Sequence, residues 1–202
     1  MNIKAKIALL LLFYFNMTLL FAQVNEWDLK KDEDGIAIYT REDENSGNIE
    51  FKAIIILKTN IDKLLKVFLE VDNYTDWMAD MKVSKTLNMI SDTSRYIYYE
   101  AQVPWPLENR DLPVYLQITK SEKVTKISLE GKPNFIPNKE GITRIEEASG
   151  SWIFTNKENN EVEVIYQFLA DPGLNIPNWI INLFIVDGPY KTLLNLQSIV
   201  EH

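Results

Sequence analysis

Residues 162–200 read VEVIYQFLADPGLNIPNWIINLFIVDGPYKTLLNLQSIV, and this stretch decides the fold. Its first nine residues alternate. Val162, Val164, Tyr166, Phe168 and Ala170 fall on one face, with Glu163 and Gln167 on the other. A period of two with one polar face predicts a strand whose apolar side is buried. Asp171-Pro172-Gly173 stops it, and Pro177 stands where a helix accepts proline at its first position. From residue 178 a helix is predicted to about residue 200, kinked at Gly188-Pro189. The first half of that helix is unusual: Trp179, Ile180, Ile181, Leu183, Phe184, Ile185 and Val186 surround a single polar Asn182. A helix lying on one side of a sheet needs only one apolar stripe. Either protein covers both faces of this one, or one face meets some other apolar body.

Upstream, the pattern is mostly strand. Turns at 32–35 and 45–48 bracket a first strand carrying Ile36 and Ile38, and Ile49, Phe51, Ala53, Ile55 and Leu57 alternate in a second. The period then changes. Asn60 is a candidate cap for a helix whose Ile61, Leu64, Leu65, Phe68 and Leu69 form one stripe, ending near residues 72–73. Strands are expected at 83–90 and 95–103, joined as a hairpin across 91–94, and then at 112–119, 124–130, 143–147 and 151–155. Pro104-Trp105-Pro106 must interrupt the ladder, because proline offers no donor. Consecutive strands on short turns give an antiparallel sheet with one buried face. The fold class is therefore α+β.

The composition narrows function by what is missing. The 202 residues include no cysteine and one histidine, the terminal His202. Thiol nucleophiles, cysteine-ligated metals, histidine triads and disulfide scaffolds have no residues to build on. No cofactor, metal site or catalytic residue is expected. A formal net charge of −8 argues against nucleic acid as a partner. At the N-terminus, Lys4 and Lys6 precede an apolar run, 7–21, broken only by Asn16 and Thr18, and then Ala22-Gln23. A basic start, an apolar run of about 15 residues and a small-residue junction describe an export signal, too short for the ~20 residues that span a bilayer. Residues 1–22 are thus expected to be a signal peptide cleaved near Ala22-Gln23, leaving 23–202 as one exported domain, periplasmic or secreted.

The order strand–strand–helix–strands–long terminal helix, punctuated by Pro104-Trp105-Pro106, Asn109-Arg110-Asp111 and Asp171-Pro172-Gly173 with Ile176-Pro177-Asn178-Trp179, resembles the START (StAR-related lipid-transfer) domain family. Trp27, Asp34-Gly35-Ile36 and Ser149-Gly150-Ser151-Trp152 extend the likeness, which looks nearest to the phosphatidylcholine-transfer type. Two features depart from that pattern: Leu174 replaces the usual second glycine, and the helix that often precedes the first strand is nearly absent. The resemblance implies a helix-grip fold, a curved antiparallel sheet wrapped around the C-terminal helix, with a tunnel for a lipid or other hydrophobic molecule between them. It also implies a non-enzymatic binder, with a helix-grip cyclase or hydrolase, or a partner-docking protein with a collapsed cavity, as alternatives. A monomer is expected, with transient membrane contact through the C-terminal helix.

Inward parity nominates Ile97, Tyr99, Trp152, Phe154, Tyr166 and Phe168 as tunnel wall from the sheet, and Trp179, Leu183 and Phe184 from the helix. Each competes with ordinary core packing. Arg110 and Asp111 carry two readings, a charged contact for a lipid head group or an ion pair that pins the loop. Arg95 shares a face with Ile97 and Tyr99, but its place beside the hairpin turn predicts exposure.

Overall fold

The computed structural model describes residues 26–171, 173 and 176–201, so the predicted signal peptide lies outside the described residues. Three strands open the fold: β1 (Asp28–Glu33), β2 (Ile36–Glu42) and β3 (Ile49–Leu57). β1 escapes a reading by periodicity because nearly all of its side chains are charged and exposed. It is an edge strand, held by its backbone ladder to β2. Helix α1 (Ile61–Leu69) follows, with the Asn60 side chain accepting from the Lys63 backbone N–H at 2.9 Å, the expected N-cap. A 3₁₀ turn over Val71–Asp76 takes the chain on to β4.

Seven strands come next: β4 (Met81–Ser91), β5 (Ser94–Ala101), β6 (Asn109–Lys120), β7 (Val124–Gly131), β8 (Ile142–Arg144), β9 (Ala148–Asn156) and β10 (Val162–Ala170). The sheet order is β1-β2-β3-β10-β9-β7-β6-β5-β4, antiparallel throughout, with short β8 added in parallel to the start of β6. The C-terminal segment packs on the concave side. The result is the α+β helix-grip arrangement.

That segment is not one kinked α-helix. It runs as α2 (Asn178–Asn182), a π-helical turn over Leu183–Asp187, and α3 (Gly188–Val200). The expected break at Gly188-Pro189 is replaced by a wider turn, in which the Gly188 N–H reaches the Leu183 carbonyl five residues back. Pro189, with no donor of its own, then falls in the first turn of α3, where none is needed.

α3 is tied down along its length. The Thr192 hydroxyl accepts from the Ala79 N–H at 3.0 Å, the Asn195 amide donates to the Trp77 carbonyl at 3.0 Å, and the Glu201 carboxylate accepts from the Lys58 N–H at 2.8 Å. Near its start, Tyr190 donates to Asp34 in the β1–β2 turn.

Inward-facing residues of the strands meet two different coverings. Toward one end of the sheet, Ile55, Leu57, Ile97, Val114, Trp152 and Phe154 are packed under α1 and the far end of α3. The covering side chains Leu64, Leu65, Phe68, Leu193, Leu196 and Val200 are equally buried. At the other end the same strands face α2 and the π turn.

Candidate functional site

Under α2 and the π turn the sheet does not close on the helix. A cavity of about 310 Å³ lies between them. Its sheet wall includes Phe51 of β3, Tyr99 and Ala101 of β5, and Tyr166, Phe168 and Ala170 of β10. Ile181, Phe184, Ile185 and Pro189 form the helical wall, and Met78–Met81 and Ile145 close the sides. Few polar groups interrupt these apolar surfaces, the usual anatomy of a small-molecule site.

Among the described residues, two charged ones border the cavity, Arg110 and Asp80. Arg110 Nη1 donates to the Glu108 carbonyl, but its Nε is buried and has no partner among the described residues. Asp80 sits in the left-handed region (φ 57°), which a short polar side chain tolerates better than most. Its Oδ2 is likewise buried and unpartnered among the described residues. Buried polar atoms normally find a hydrogen bond, so two orphans on one cavity wall mark the place where a ligand's polar end can be met. Burial pushes the Tyr99 and Tyr166 hydroxyls well above the usual tyrosine range, so both face the cavity as neutral groups.

Tyr99 and Tyr166 also form a partition. Behind Tyr166 the Trp152 indole is stacked at 3.8 Å and 5°. Phe68 lies edge-on to Trp152 at 4.7 Å and within 5.1 Å of both Phe154 and Trp77. Tyr74 fills the space behind Tyr99 at 6.0 Å. This aromatic plug occupies the rest of the groove.

The nominated residues therefore divide. Tyr99, Arg110, Tyr166, Phe168 and Phe184 line the cavity. Ile97, Trp152 and Phe154 point to the same concave face but lie in the packed half, as core. Leu183 is half-buried outside the lining, and Trp179 is 59% exposed. Parity missed Asp80 and Ile145, which reach the wall from a loop and a connection.

Asp111 lies on the opposite face from Arg110, because neighbours on a strand point to opposite sides. Its ion pair is with Arg144, whose Nε and Nη2 donate to its two carboxylate oxygens at 2.6 and 3.0 Å. Arg144 also holds the carbonyls of Ile136 and Pro137, pinning the loop that crosses the outer face. The loop buries Tyr98 and Glu100 on the outer face of β5. The Tyr98 hydroxyl donates to Asp111 at 3.1 Å and accepts from the Lys139 ammonium at 2.7 Å. Arg95 corrects another expectation. It is 5% exposed rather than at the surface, because its guanidinium donates to the Leu69 carbonyl at the end of α1.

Comparison with known proteins agrees with this geometry. The family described as START domain matches residues 17–193. A solved structure described as a STAR-related lipid transfer protein from Xanthomonas axonopodis is 34% identical, with a TM-score of 0.77, covering 85% of this chain and 97% of that one. Phosphatidylcholine transfer protein from Mus musculus is 28% identical over 171 residues, 81% of this chain and 78% of its own. An uncharacterized protein from Pseudomonas aeruginosa is 29% identical over 184 residues, 89% of each chain. The chain belongs to the START domain family.

Proposed function

From this family membership and the cavity together, we propose that the chain binds a lipid or another hydrophobic small molecule between the sheet and the C-terminal helical segment, and does no chemistry on it. The observation that carries the reading is an apolar cavity of about 310 Å³ bordered by two buried atoms of charged side chains that have no partner among the described residues. The tail is held by Phe51, Tyr166, Phe168 and Phe184, and the polar end by Arg110, whose planar guanidinium suits phosphate or carboxylate oxygens. Each apolar wall residue contributes through area removed from water.

Loading and unloading proceed at a bilayer surface. Trp105, 90% exposed in the Pro104–Pro106 loop, and Trp179 at the start of α2 are the apolar contacts. An acidic chain gains little from anionic lipid, so this contact rests on aromatic insertion at the interface. The basic start and apolar run of residues 1–22 support export to the periplasm or beyond.

The test is retention. Delipidated protein incubated with a total bacterial lipid extract should emerge from gel filtration carrying about one lipid per chain. Ala170→Trp, which fills the cavity from β10, should emerge empty with an unchanged circular dichroism spectrum. Equal retention by the two proteins would overturn the assignment of the cavity.

A further inference from the structure

The cavity occupies only one end of the groove, and the rest is solid. Tyr166 presents one face to the cavity and stacks its other face on Trp152. Behind Trp152, the Phe68 ring contacts both Phe154 and Trp77, and all three are at most 2% exposed. The rings meet tilted, edge to face or stacked at normal separations, and the one polar atom left over is the Trp77 Nε1, buried with no partner among the described residues and enclosed by the rings around it. The plug is therefore finished core, and rotating one side chain would not open a continuous tunnel.

The remaining space of about 310 Å³ lies at the bottom of the range of roughly 300–1,000 Å³ that holds drug-sized ligands. A diacylphospholipid carries two tails, each comparable by itself to such a ligand. The space between Phe51, Phe168 and Phe184 is of a size for one tail rather than two, with the head's anionic oxygens at the Arg110 guanidinium and only a donor or cationic part of the head suited to Asp80.

We propose that this chamber takes a single-chain amphiphile, one acyl tail beneath a head bearing anionic oxygens, and that the plug of Phe68, Trp77, Trp152 and Phe154 sets the limit. The proposal rests on the reading of the cavity as a lipid site and narrows it. The head's oxygens are those of a phosphate or a carboxylate, and Arg110 suits either.

Isothermal titration of the delipidated full chain distinguishes these possibilities with three probes: palmitoyl lysophosphatidylcholine, palmitate and dipalmitoyl phosphatidylcholine. One single-chain probe should bind at one per chain, at least about tenfold more tightly than the diacyl lipid. Preference for the lysolipid assigns the head as a phosphate, and preference for palmitate as a carboxylate. Comparable one-to-one binding of the diacyl lipid would overturn the size limit while leaving the lipid site standing. Binding of none of the three would overturn both.

A second reading uses the unmodified chain and saturated lysophosphatidylcholines from octanoyl to stearoyl. Affinity should rise about fourfold per added methylene until the tail meets Tyr166 and Trp152, and then level off. A rise that continues unbroken to stearoyl would show that the plug is no barrier. Trp152→Ala, which removes the ring behind Tyr166 that stops the tail, should move the plateau to longer tails.

Discussion

The concave face of this sheet is one surface with two fates. Under α1 and the end of α3, Ile97, Trp152 and Phe154 meet facing side chains and become core. Two residues further along β5, and on the far half of neighbouring β10, Tyr99, Phe168 and Ala170 border a space that stays open beneath α2 and the π turn. The two halves have similar chemistry, apolar and aromatic, so hydrophobicity does not separate them. What separates them is the covering element. α1 supplies Leu64, Leu65 and Phe68 from a single stripe, whereas the wider π turn presents half-buried Leu183–Val186 and leaves a gap.

That contrast is open to attack by mutation. Trp152→Ala removes a large ring from the packed half and should lower stability by about 3–5 kcal/mol in urea unfolding. Phe184→Ala, on the hollow half, should cost less than about 1.5 kcal/mol. Equal losses would erase the distinction between plug and chamber.

Gly150 stands on the boundary, where an added Cβ would lie 2.3 Å from the Phe168 ring and 2.7 Å from the Gln167 carbonyl oxygen. Gly150→Ala should cost about 1–3 kcal/mol and push Phe168 toward the cavity, reducing lipid retention with it. A stable variant with full retention would show that Phe168 has room to yield elsewhere. Ala170→Trp should shift stability by less than about 1 kcal/mol, since its ring enters existing space, while abolishing retention. A large stability loss there would mean that the space is not available to a side chain.

The smallest effect belongs to the outer face. Burial works to raise the Glu100 carboxyl, but hydrogen bonds from Asn109 and Lys82 outweigh it and hold the group below its ordinary value of 4.5. A carboxylate depressed by folding contributes stability above its unfolded pKa, and the contribution is lost as pH falls through the folded value. Wild type should therefore lose more melting temperature than Glu100→Gln between neutral pH and the acid side of that range, and lipid retention should follow stability alone. Parallel melting curves would remove Glu100 from the account of acid sensitivity.

Much of the fold was legible in order and period. The alternation of Val162 to Ala170, the stripe from Ile61 to Leu69 and the interruption at Pro104-Trp105-Pro106 each have a local physical cause, and each stands where expected. β1 was illegible because an edge strand of mostly charged, exposed residues is held chiefly by its backbone ladder and shows no apolar face. The site was half legible. Parity tells which face a side chain takes, not how far along the strand it lies or what covers it. Tyr99 and Trp152 therefore looked alike, yet only one lines the cavity. Arg110 and Asp111 looked like a pair, yet the pleat sends them to opposite faces. Asp80 carried no signal at all, because its role depends on a left-handed loop conformation and a buried oxygen that only the folded chain reveals.

The most direct measurement is the native mass of the full-length chain purified from its expression host without detergent, before and after organic extraction. A ligand chamber predicts a bound species at one per chain, lost on extraction and regained on incubation with lipid. A chain that carries no added mass and takes up none afterwards would contradict a ligand site under α2 and the π turn.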